Sequence, residues 1–440
     1  MSEQSFVERH FRHNFIVNVS DLALWATGSA LVSTATVLPM FMAHLTASPV
    51  IIGLIPSLQF LGWRLPQLFT AGVVEKLPRK LPFVLSVSLN ERLPILMLGL
   101  IVLIWPHAEP DVLLAATLLL LGWQAFGSGA CANAWQAMVA KVIPATHWGL
   151  FFGLGNALGA LLGVGGAALS HYFLSHYPFP YGFGYSCVVA SVFLMLSWCA
   201  LALTKEEAKP PARTVPGLRE YLRSLPGVLR QDRNFSLFLL LRSVGAFPGM
   251  GSAFLAVYAA ERFSLGDEAA ATFTTVILVS QALLNPILGR MGDRYGHKLM
   301  ITLSFWAQAA SMAVAATAPN STLFLAAFAL KSAADAIGMS SGLPIVFEFC
   351  SEETRPTYIG LANTLTAPPL VLVPVVGGAM VESVGYVGTF CASALLGILV
   401  AVLWHRCLDD PRSLAMRTIT ADPAGLAAGE DGGGQARPEP

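Results

Sequence analysis

Seven ionisable side chains lie inside segments of this sequence that are otherwise long and apolar. Four are bases and three are acids: Asp21, Arg64, Glu91, Arg92, Arg242, Lys331 and Asp335. A charge at membrane depth is costly unless it faces a protein interior or a water-filled cavity, so such residues mark the path of an ion or a solute. The surplus base favours an anionic or zwitterionic solute.

Lys331 and Asp335 are four residues apart near the centre of the apolar run 322–347, so a helix places them on one face. Two interpretations stay open. The pair is structural, or Asp335 accepts a proton and releases Lys331 for a solute anion. Arg242 precedes the Gly- and Pro-rich segment 245–251, where a helix can bend as a gate. It either contributes to the site or extends to the membrane surface.

The first part of the chain offers a second group of candidates. Arg64 and Glu91 lie near the middle of successive apolar runs and are predicted to pair between helices. Glu91 and Arg92 are adjacent, point about 100° apart on a helix and are assigned a structural role. Asp21 is predicted to lie in the first turns of the first helix, as a helix-start acid or a coupling residue. Uncharged side chains predicted to shape the site are Asn133, Gln136, Gln281, Asn285 and Asn363.

The composition indicates that lipid, rather than water, surrounds most of this chain. Hydrophobic residues make up 55% of the 440 and charged residues only 12%, whereas about a quarter of the residues in soluble domains are charged. The formal net charge is zero, which argues against a nucleic-acid partner because such a partner requires a concentrated basic face. We therefore expect an all-α membrane protein whose main partner is the lipid bilayer.

Twelve apolar runs are long enough to cross a bilayer as helices, which requires about 20 residues each. They cover residues 17–43, 50–74, 82–104, 111–140, 148–172, 182–204, 234–260, 269–289, 298–318, 321–350, 356–382 and 386–406. An even number of spans places both termini on one side, and 21 of the 26 Lys and Arg residues then fall on that side. Because cytoplasmic loops retain basic residues, both termini are predicted to be cytoplasmic. Compact loops on the other side favour the inner membrane of a bacterium.

The longest predicted loop divides the runs into two groups of six. The predicted units are an N-terminal six-helix bundle (1–204), a cytoplasmic linker (205–233), a C-terminal six-helix bundle (234–408) and a disordered cytoplasmic tail (409–440). At an offset of 207 residues, GLGNAL (153–158) aligns with GLANTL (360–365), and both open the fifth run of their group. This match favours parallel repeats that are related by an axis normal to the membrane.

The most specific motif is GRMGDRYGHK, residues 289–298, between the eighth and ninth runs. It resembles the signature of the major facilitator superfamily, G-x-x-x-D-R-x-G-x-[RK]. The matching residues, a predicted gating motif, are Gly289, Asp293, Arg294, Gly296 and Lys298. Its glycines permit a tight turn and close helix approach. The equivalent loop of the first half, residues 72–80, keeps an acid and bases but has Pro78 in place of a glycine.

The resemblance implies twelve transmembrane helices in two pseudo-symmetric six-helix bundles, working as a monomer by alternating access. It also implies that the first, fourth, seventh and tenth helices of the chain line the solute cavity. A pattern of antiporter branches in the fifth run is incomplete: Gly155 and Gly159 match, whereas Ala160 and Val164 replace its proline and last glycine. The glycines of this run are predicted to form a helix-packing face instead.

The motifs that would indicate an enzyme or a nucleotide-binding site are either missing from the sequence or lie in an unsuitable context. The sequence contains no G-x-x-x-x-G-K-[ST] loop and no H-E-x-x-H pair, and its one G-x-S-x-G match (338–342) lies within an apolar helix. We therefore predict no cofactor and an ion gradient, of H+, as the energy source. The leading hypothesis is a proton-coupled secondary transporter of a small organic solute. The alternatives are an efflux antiporter of amphipathic compounds or lipids, and a transporter-like receptor without flux.

Overall fold

The computed structural model of this chain describes residues 6–208, 229, 232–350 and 355–411, and every element in these ranges is helical. All twelve predicted runs are helices, here called spans 1 to 12. Their bounds are Phe6–Leu31 with Val37–Leu45 (span 1), Pro49–Lys76 (2), Leu81–Ile104 (3), Pro110–Val142 (4), Trp148–His176 (5), Tyr181–Ala202 (6), Arg233–Val244 with Leu255–Phe263 (7), Ala269–Tyr295 (8), His297–Thr317 (9), Ser321–Ser341 with Pro344–Phe347 (10) and Arg355–Cys407 (11 and 12).

Within the described residues, nine helical segments are long and apolar enough to cross a membrane. One of the nine, Tyr358–Cys407, contains both span 11 and span 12, which are separated by a break at Gly385 (φ 75°). Spans 1 and 2 are not among the nine because polar residues reduce their hydropathy. The predicted tail from residue 412 onward and most of the predicted linker (209–228, 230–231) lie outside the described residues.

Span 1 begins at Phe6, eleven residues before the predicted start of its apolar run at residue 17. Its polar first turns are held by the end of span 6. The Asn14 side chain donates to the carbonyl of Lys205 (2.9 Å) and accepts from the backbone N–H of Lys205 (2.9 Å). Asn18 donates to the hydroxyl of Thr204 (3.1 Å). Hydrogen bonds to a distant segment therefore extend this helix beyond its apolar part.

Span 7 is broken at the place that its glycines and proline predict. The helix ends at Val244, two short 3-10 turns follow (Phe247–Gly249 and Ser252–Phe254), and a second helix starts at Leu255. Proline removes a backbone donor and glycine lowers helix stability, so the continuous ladder is interrupted here. Arg242 lies in the last turn before this break.

The helices of the two halves pack in the same pattern, six spans apart. Span 3 packs against spans 4 and 6, and its counterpart, span 9, packs against spans 10 and 12. In the same way, span 2 packs against span 4, and span 8 packs against span 10. The halves meet where span 2 contacts span 11 and where span 5 contacts span 8. Because span 8 is the counterpart of span 2 and span 11 that of span 5, these two contacts are also related by the pseudo-symmetry. This arrangement is the pseudo-symmetry that the repeat predicts.

The glycines of span 5 form a packing face, as predicted. Gly155, Gly159, Gly163 and Gly166 are all buried. A Cβ atom at Gly155 would lie 2.6 Å from Leu22, and one at Gly166 would lie 2.5 Å from the carbonyl oxygen of Thr27. Span 1 therefore approaches span 5 more closely than any larger residue would allow.

Candidate functional site

The two halves are joined at one end of the molecule. We call the end at which span 1 begins and span 12 ends the termini side, and the opposite end the far side. One hydrophobic core cluster at the far side contains residues of both halves, including Phe41, Leu255 and Phe273. The two clusters nearer the termini side, by contrast, each contain residues of one half only. The interface is thus closed at the far side and more open at the termini side.

Hydrogen bonds between the halves reinforce the closure at the far side. The hydroxyls of Thr36 and Thr274 are 2.5 Å apart. His44 Nε2 lies 2.7 Å from a carboxylate oxygen of Asp267. The Ser48 hydroxyl donates to Glu382 over 2.7 Å. These three contacts join the two halves at the far side.

Two arginines, one from each half, face the interface. Arg64 of span 2 donates from a terminal guanidinium nitrogen to the carbonyl of Asn363 in span 11 (3.1 Å). Arg242 of span 7 donates to the carbonyl of Gly342 at the end of the first helix of span 10 (2.6 Å). The positive charge of Arg64 acts unfavourably on the guanidinium of Arg242.

Neither of these two arginines has an acidic partner among the described residues, since no carboxylate there lies within 4.0 Å of Arg64 or Arg242. The predicted pair of Arg64 with Glu91 is wrong. Glu91 instead accepts from the indole of Trp25 (2.9 Å) and the hydroxyl of Ser128 (3.1 Å). Both residues lie near the middle of their helices, as the sequence predicts, but the sequence could not show which way each helix face turns.

Lys331 and Asp335 form the predicted pair on one face of span 10. The ammonium lies 2.5 Å from both carboxylate oxygens, and the two side chains are 22% and 46% exposed. Gly342, whose carbonyl binds Arg242, lies seven residues after Asp335, or about 10 Å further along the same helix face. The ion pair therefore lies on the helix face that also carries Gly342, and it has no net charge.

A second charged cluster lies inside the first half. Asp21 is only 4% exposed; it accepts from the hydroxyl of Ser197 (2.6 Å) and the indole of Trp135 (3.3 Å). Its carboxylate is 3.8 Å from the guanidinium of Arg92. The helix-start interpretation of Asp21 is wrong because span 1 begins at Phe6, about four turns earlier.

Arg92 connects the two acids of this cluster. Its guanidinium lies 3.5 Å from Glu91 and donates to the carbonyls of Ser88 and Leu194 and to the hydroxyl of Ser197. Although Glu91 and Arg92 leave the helix in different directions, the long arginine side chain turns back to its neighbour. The cluster holds two carboxylates and one guanidinium, so full ionisation leaves one negative charge. No pattern in the sequence indicated that Ser197 joins Asp21 to Arg92.

The uncharged candidates occupy different places. Asn133 donates to the carbonyl of Gln67 (2.8 Å) and so connects spans 4 and 2. Gln136 is exposed, and Gln281 and Asn285 are half-buried. The Asn363 side chain is exposed, while its backbone carbonyl is the acceptor for Arg64. Their roles at the solute site stay predictions.

The gating motif is mostly helical rather than a loop. Residues 289–295 continue span 8, and only Gly296 separates it from span 9. Gly296 has φ 91°, which an L side chain rarely adopts, so glycine is needed here. The guanidinium of Arg294 lies over the ring of Tyr295 (5.4 Å). Lys298 donates to the carbonyl of His405 (3.1 Å) and joins span 9 to the end of span 12.

The corresponding turn of the first half is held by Glu206, which the sequence assigned to the linker. Its carboxylate accepts from the backbone N–H groups of Lys80 and Leu81 (both 2.8 Å) at the start of span 3 and pairs with Lys141 (2.8 Å). The Lys80 ammonium donates to the carbonyls of Val74 (2.5 Å) and Leu77 at the end of span 2. Burial first, and then the charge of Lys141, lowers the pKa of Lys80, while Glu206 opposes that effect.

The sequence and the architecture of this chain are similar to those of known proteins. The sequence matches the profile of the Major Facilitator Superfamily over residues 21–280 and 245–430. Multidrug resistance protein MdtG of Citrobacter koseri is 28% identical over 303 residues, 65% of this chain and 68% of that protein. The MFS-type transporter TOXA of Cochliobolus carbonum is 26% identical over 184 residues, 40% of this chain and 33% of that protein. The match thus spans only a third of the fungal relative's length.

Solved structures share the fold at low sequence identity. A mutant of the nucleoside transporter NupG superposes with a TM-score of 0.73 at 13% identity, covering 90% of this chain and 100% of that chain. A D-xylose-proton symporter superposes with a TM-score of 0.68 at 13% identity, covering 92% of this chain and 99% of that one. The predicted fold class of twelve helices in two bundles is confirmed.

Proposed function

We propose that this chain, which belongs to the major facilitator superfamily, exports an organic solute in exchange for protons. Proteins of this superfamily are secondary transporters of the membrane rather than enzymes. The relative that is named a multidrug resistance protein supports export. The separation of the halves on the termini side, which the basic residues predict to be cytoplasmic, supports loading of the solute from the cytoplasm.

One observation supports coupling to protons above all: the excess of acid in the buried cluster of Asp21, Glu91 and Arg92. Two carboxylates and one guanidinium carry a net charge of −1, and one proton makes the cluster neutral. A neutral cluster is cheaper to enclose than a charged one in a low-dielectric bundle. The proton therefore changes the free energy of any state in which the cluster is shut off from water.

The Lys331–Asp335 pair is assigned a different role. Lys331 already neutralises Asp335 one to one at 2.5 Å, so proton uptake there would leave an unpaired ammonium. The pair adds no net charge beside the two arginines. In our proposal, proton uptake from the far side neutralises the cluster and favours return to the state open at the termini side, where the proton is released and solute binds.

The test is gradient-driven transport by the purified full chain in liposomes that contain a pH-sensitive dye. The probes are carboxyfluorescein as an anion, rhodamine B as a zwitterion and ethidium as a cation. We expect an imposed pH gradient to drive uphill movement of at least one probe. Asp21→Asn is expected to abolish uphill movement but to retain exchange of labelled for unlabelled probe, because exchange requires no net proton transfer.

Asp335→Asn serves as the comparison variant and is expected to keep proton-driven movement. Equal uphill transport by wild type and Asp21→Asn would remove the cluster from the mechanism. If wild-type protein that is folded and inserted moves no probe, with or without the gradient, the result would contradict export of such solutes and favour the receptor alternative.

A further inference from the structure

We propose that Arg64 and Arg242 together bind the anionic group of the transported solute, a carboxylate or sulfonate on an organic body. This proposal rests on the proposed transport function and specifies its solute. It starts from the placement of the two side chains, because Arg64 belongs to span 2 of the first half and Arg242 to span 7 of the second half. Arg64 reaches across the interface that alternating access opens and closes, to the carbonyl of Asn363 in the second half.

Both guanidinium groups have donors to spare. A guanidinium carries five N–H donors, whereas Arg64 and Arg242 each use one nitrogen for one backbone carbonyl, of Asn363 and Gly342 respectively. Arg242 also lies over the ring of Phe238 at 5.6 Å, which holds the plane of the guanidinium in place. The remaining donors suit the planar, two-oxygen geometry of a carboxylate or sulfonate.

The charge balance of the interface also calls for an anion. Among the described residues, no carboxylate lies within 4.0 Å of Arg64 or Arg242, and Lys331 and Asp335 neutralise each other, so these four side chains together carry a charge of +2. Two like charges at mid-depth repel each other, and each is costly to remove from water. A solute carboxylate would reduce both costs.

Arg242 has an alternative role as the cap of a helix. Its contact with Gly342 places a cation at the carboxyl end of the helix Ser321–Ser341, where the helix dipole favours positive charge. That role explains one hydrogen bond and the position of one arginine. It does not explain why Arg64, which also has no acidic partner among the described residues, reaches across the interface to the carbonyl of Asn363.

The position of the two arginines connects solute binding with conformational change. To close the termini side, spans 2 and 7 must approach, and this brings two positive charges together. An anion between the arginines removes their repulsion and can bind both at once. The loaded protein therefore closes on the termini side more readily than the empty one, a requirement for a transporter that must not cycle without its solute.

The experiment is thermal unfolding of the purified full chain with three probes that share one aromatic body: 1-naphthoate, 1-naphthylmethylamine and 1-naphthalenemethanol. A ligand that binds only the folded state raises the unfolding midpoint in proportion to its affinity and concentration. We expect 1-naphthoate to raise the midpoint, and the amine and the alcohol to leave it unchanged. Arg64→Gln and Arg242→Gln should each weaken naphthoate binding at least tenfold.

Arg262→Gln is the matched control, because Arg262 belongs to span 7 but lies at its far-side end. It should bind naphthoate as the wild type does. Arg64→Lys and Arg242→Lys keep the charge and guard against misfolding; both should bind naphthoate more weakly than wild type because the forked geometry is lost.

The proposal would be overturned if naphthoate failed to stabilise the wild type, if the amine or alcohol stabilised it equally, or if the Gln variants bound naphthoate normally. The outcome is independent of proton coupling. If a proton gradient drives transport of the dyes by the wild type but the wild type does not bind naphthoate, this inference alone is refuted. Arginine-dependent binding in a protein that shows no proton-driven transport would refute only the coupling.

Discussion

At the scale of single residues, the role of each charged side chain within the spans depends on the groups that it contacts. Arg92 is 4% exposed and is the base that both Asp21 and Glu91 face. Lys331 and Asp335 satisfy each other. Arg64 and Arg242 are satisfied only by backbone carbonyls among the described residues. The same residue types thus serve for a structural network, a neutral pair and a candidate anion site.

Replacing Arg92 by Gln should destabilise the protein strongly. It removes the cation between two enclosed carboxylates, and breaking a buried ion pair on one side costs about 3–5 kcal/mol. The measurement is unfolding of the purified protein, by heat or by denaturant. Glu91→Gln is the control and should cost much less, since it leaves Asp21 paired one to one with Arg92. Equal stability of Arg92→Gln and wild type would show that the network contributes nothing to folding.

Replacing Asp335 by Asn should raise the affinity for 1-naphthoate. The change frees the Lys331 ammonium and increases the charge of the interface by one unit, which favours an anion. The measurement is the naphthoate concentration that gives half of the maximal rise in unfolding midpoint. The double variant Lys331→Met with Asp335→Asn should return this value towards that of wild type. Weaker naphthoate binding in Asp335→Asn would contradict the position of the pair beside the solute.

At the scale of secondary-structure elements, close packing and helix ends depend on a few side chains. Span 5 can lie against span 1 because its buried face has glycines at 155, 159, 163 and 166. The turn between spans 2 and 3 is held by Glu206, which comes from beyond span 6. The segment that follows the first half is therefore attached to the turn where a gating motif is expected.

Gly166→Ala should lower the stability of the first half. Its Cβ atom would lie 2.5 Å from the carbonyl oxygen of Thr27, and forcing such an overlap costs about 1–3 kcal/mol. Gly165→Ala is the neighbouring control, because no atom lies within 4 Å of a Cβ atom there. The unfolding midpoints of the two variants compare them directly. A Gly166→Ala variant as stable as Gly165→Ala would mean that spans 1 and 5 separate at little cost.

Glu206→Gln should loosen the turn between spans 2 and 3. The variant loses the ion pair with Lys141 (2.8 Å) and weakens the hydrogen bonds to two N–H groups at the start of span 3. Charge-assisted bonds of this kind contribute about 1–3 kcal/mol. Amide hydrogen exchange at residues 77–84 should become faster. Glu109→Gln is the control, since Glu109 precedes span 4 without making a side-chain cap.

At the scale of the whole molecule, the two halves form a body that is held together at the far side. The contact of Thr36 with Thr274 and that of His44 with Asp267 join spans of different halves there. The candidate anion site lies between this closed end and the more open termini side. Alternating access then requires the far-side contacts to break while the termini side closes.

A disulfide across the far side should stop transport. In a background without the six native cysteines, Thr36→Cys with Thr274→Cys should crosslink on oxidation, because the two native hydroxyl oxygens are 2.5 Å apart. Oxidation should abolish transport of the dye probes in liposomes, and a reductant should restore it. Thr36→Cys alone should be insensitive to oxidation. Full transport by the crosslinked protein would show that the far side need not open.

The sequence by itself determined the twelve helices and their arrangement in two bundles of six. These features depend on single segments, because a chain in lipid must satisfy its backbone hydrogen bonds internally and so forms helices wherever about 20 apolar residues follow one another. The bend after Arg242, the pairing of Lys331 with Asp335 and the glycine at 296 were predictable for the same reason, since their geometry is local.

Only the tertiary structure decided which charges meet. It placed Glu91 beside Trp25 and Ser128 rather than Arg64, joined Asp21 to Arg92, and directed Arg64 to the carbonyl of Asn363 in the other half. These relations depend on how each helix is rotated about its axis and on where a long side chain turns. Both are set by packing against other helices, and the pattern of a single segment contains no information about them.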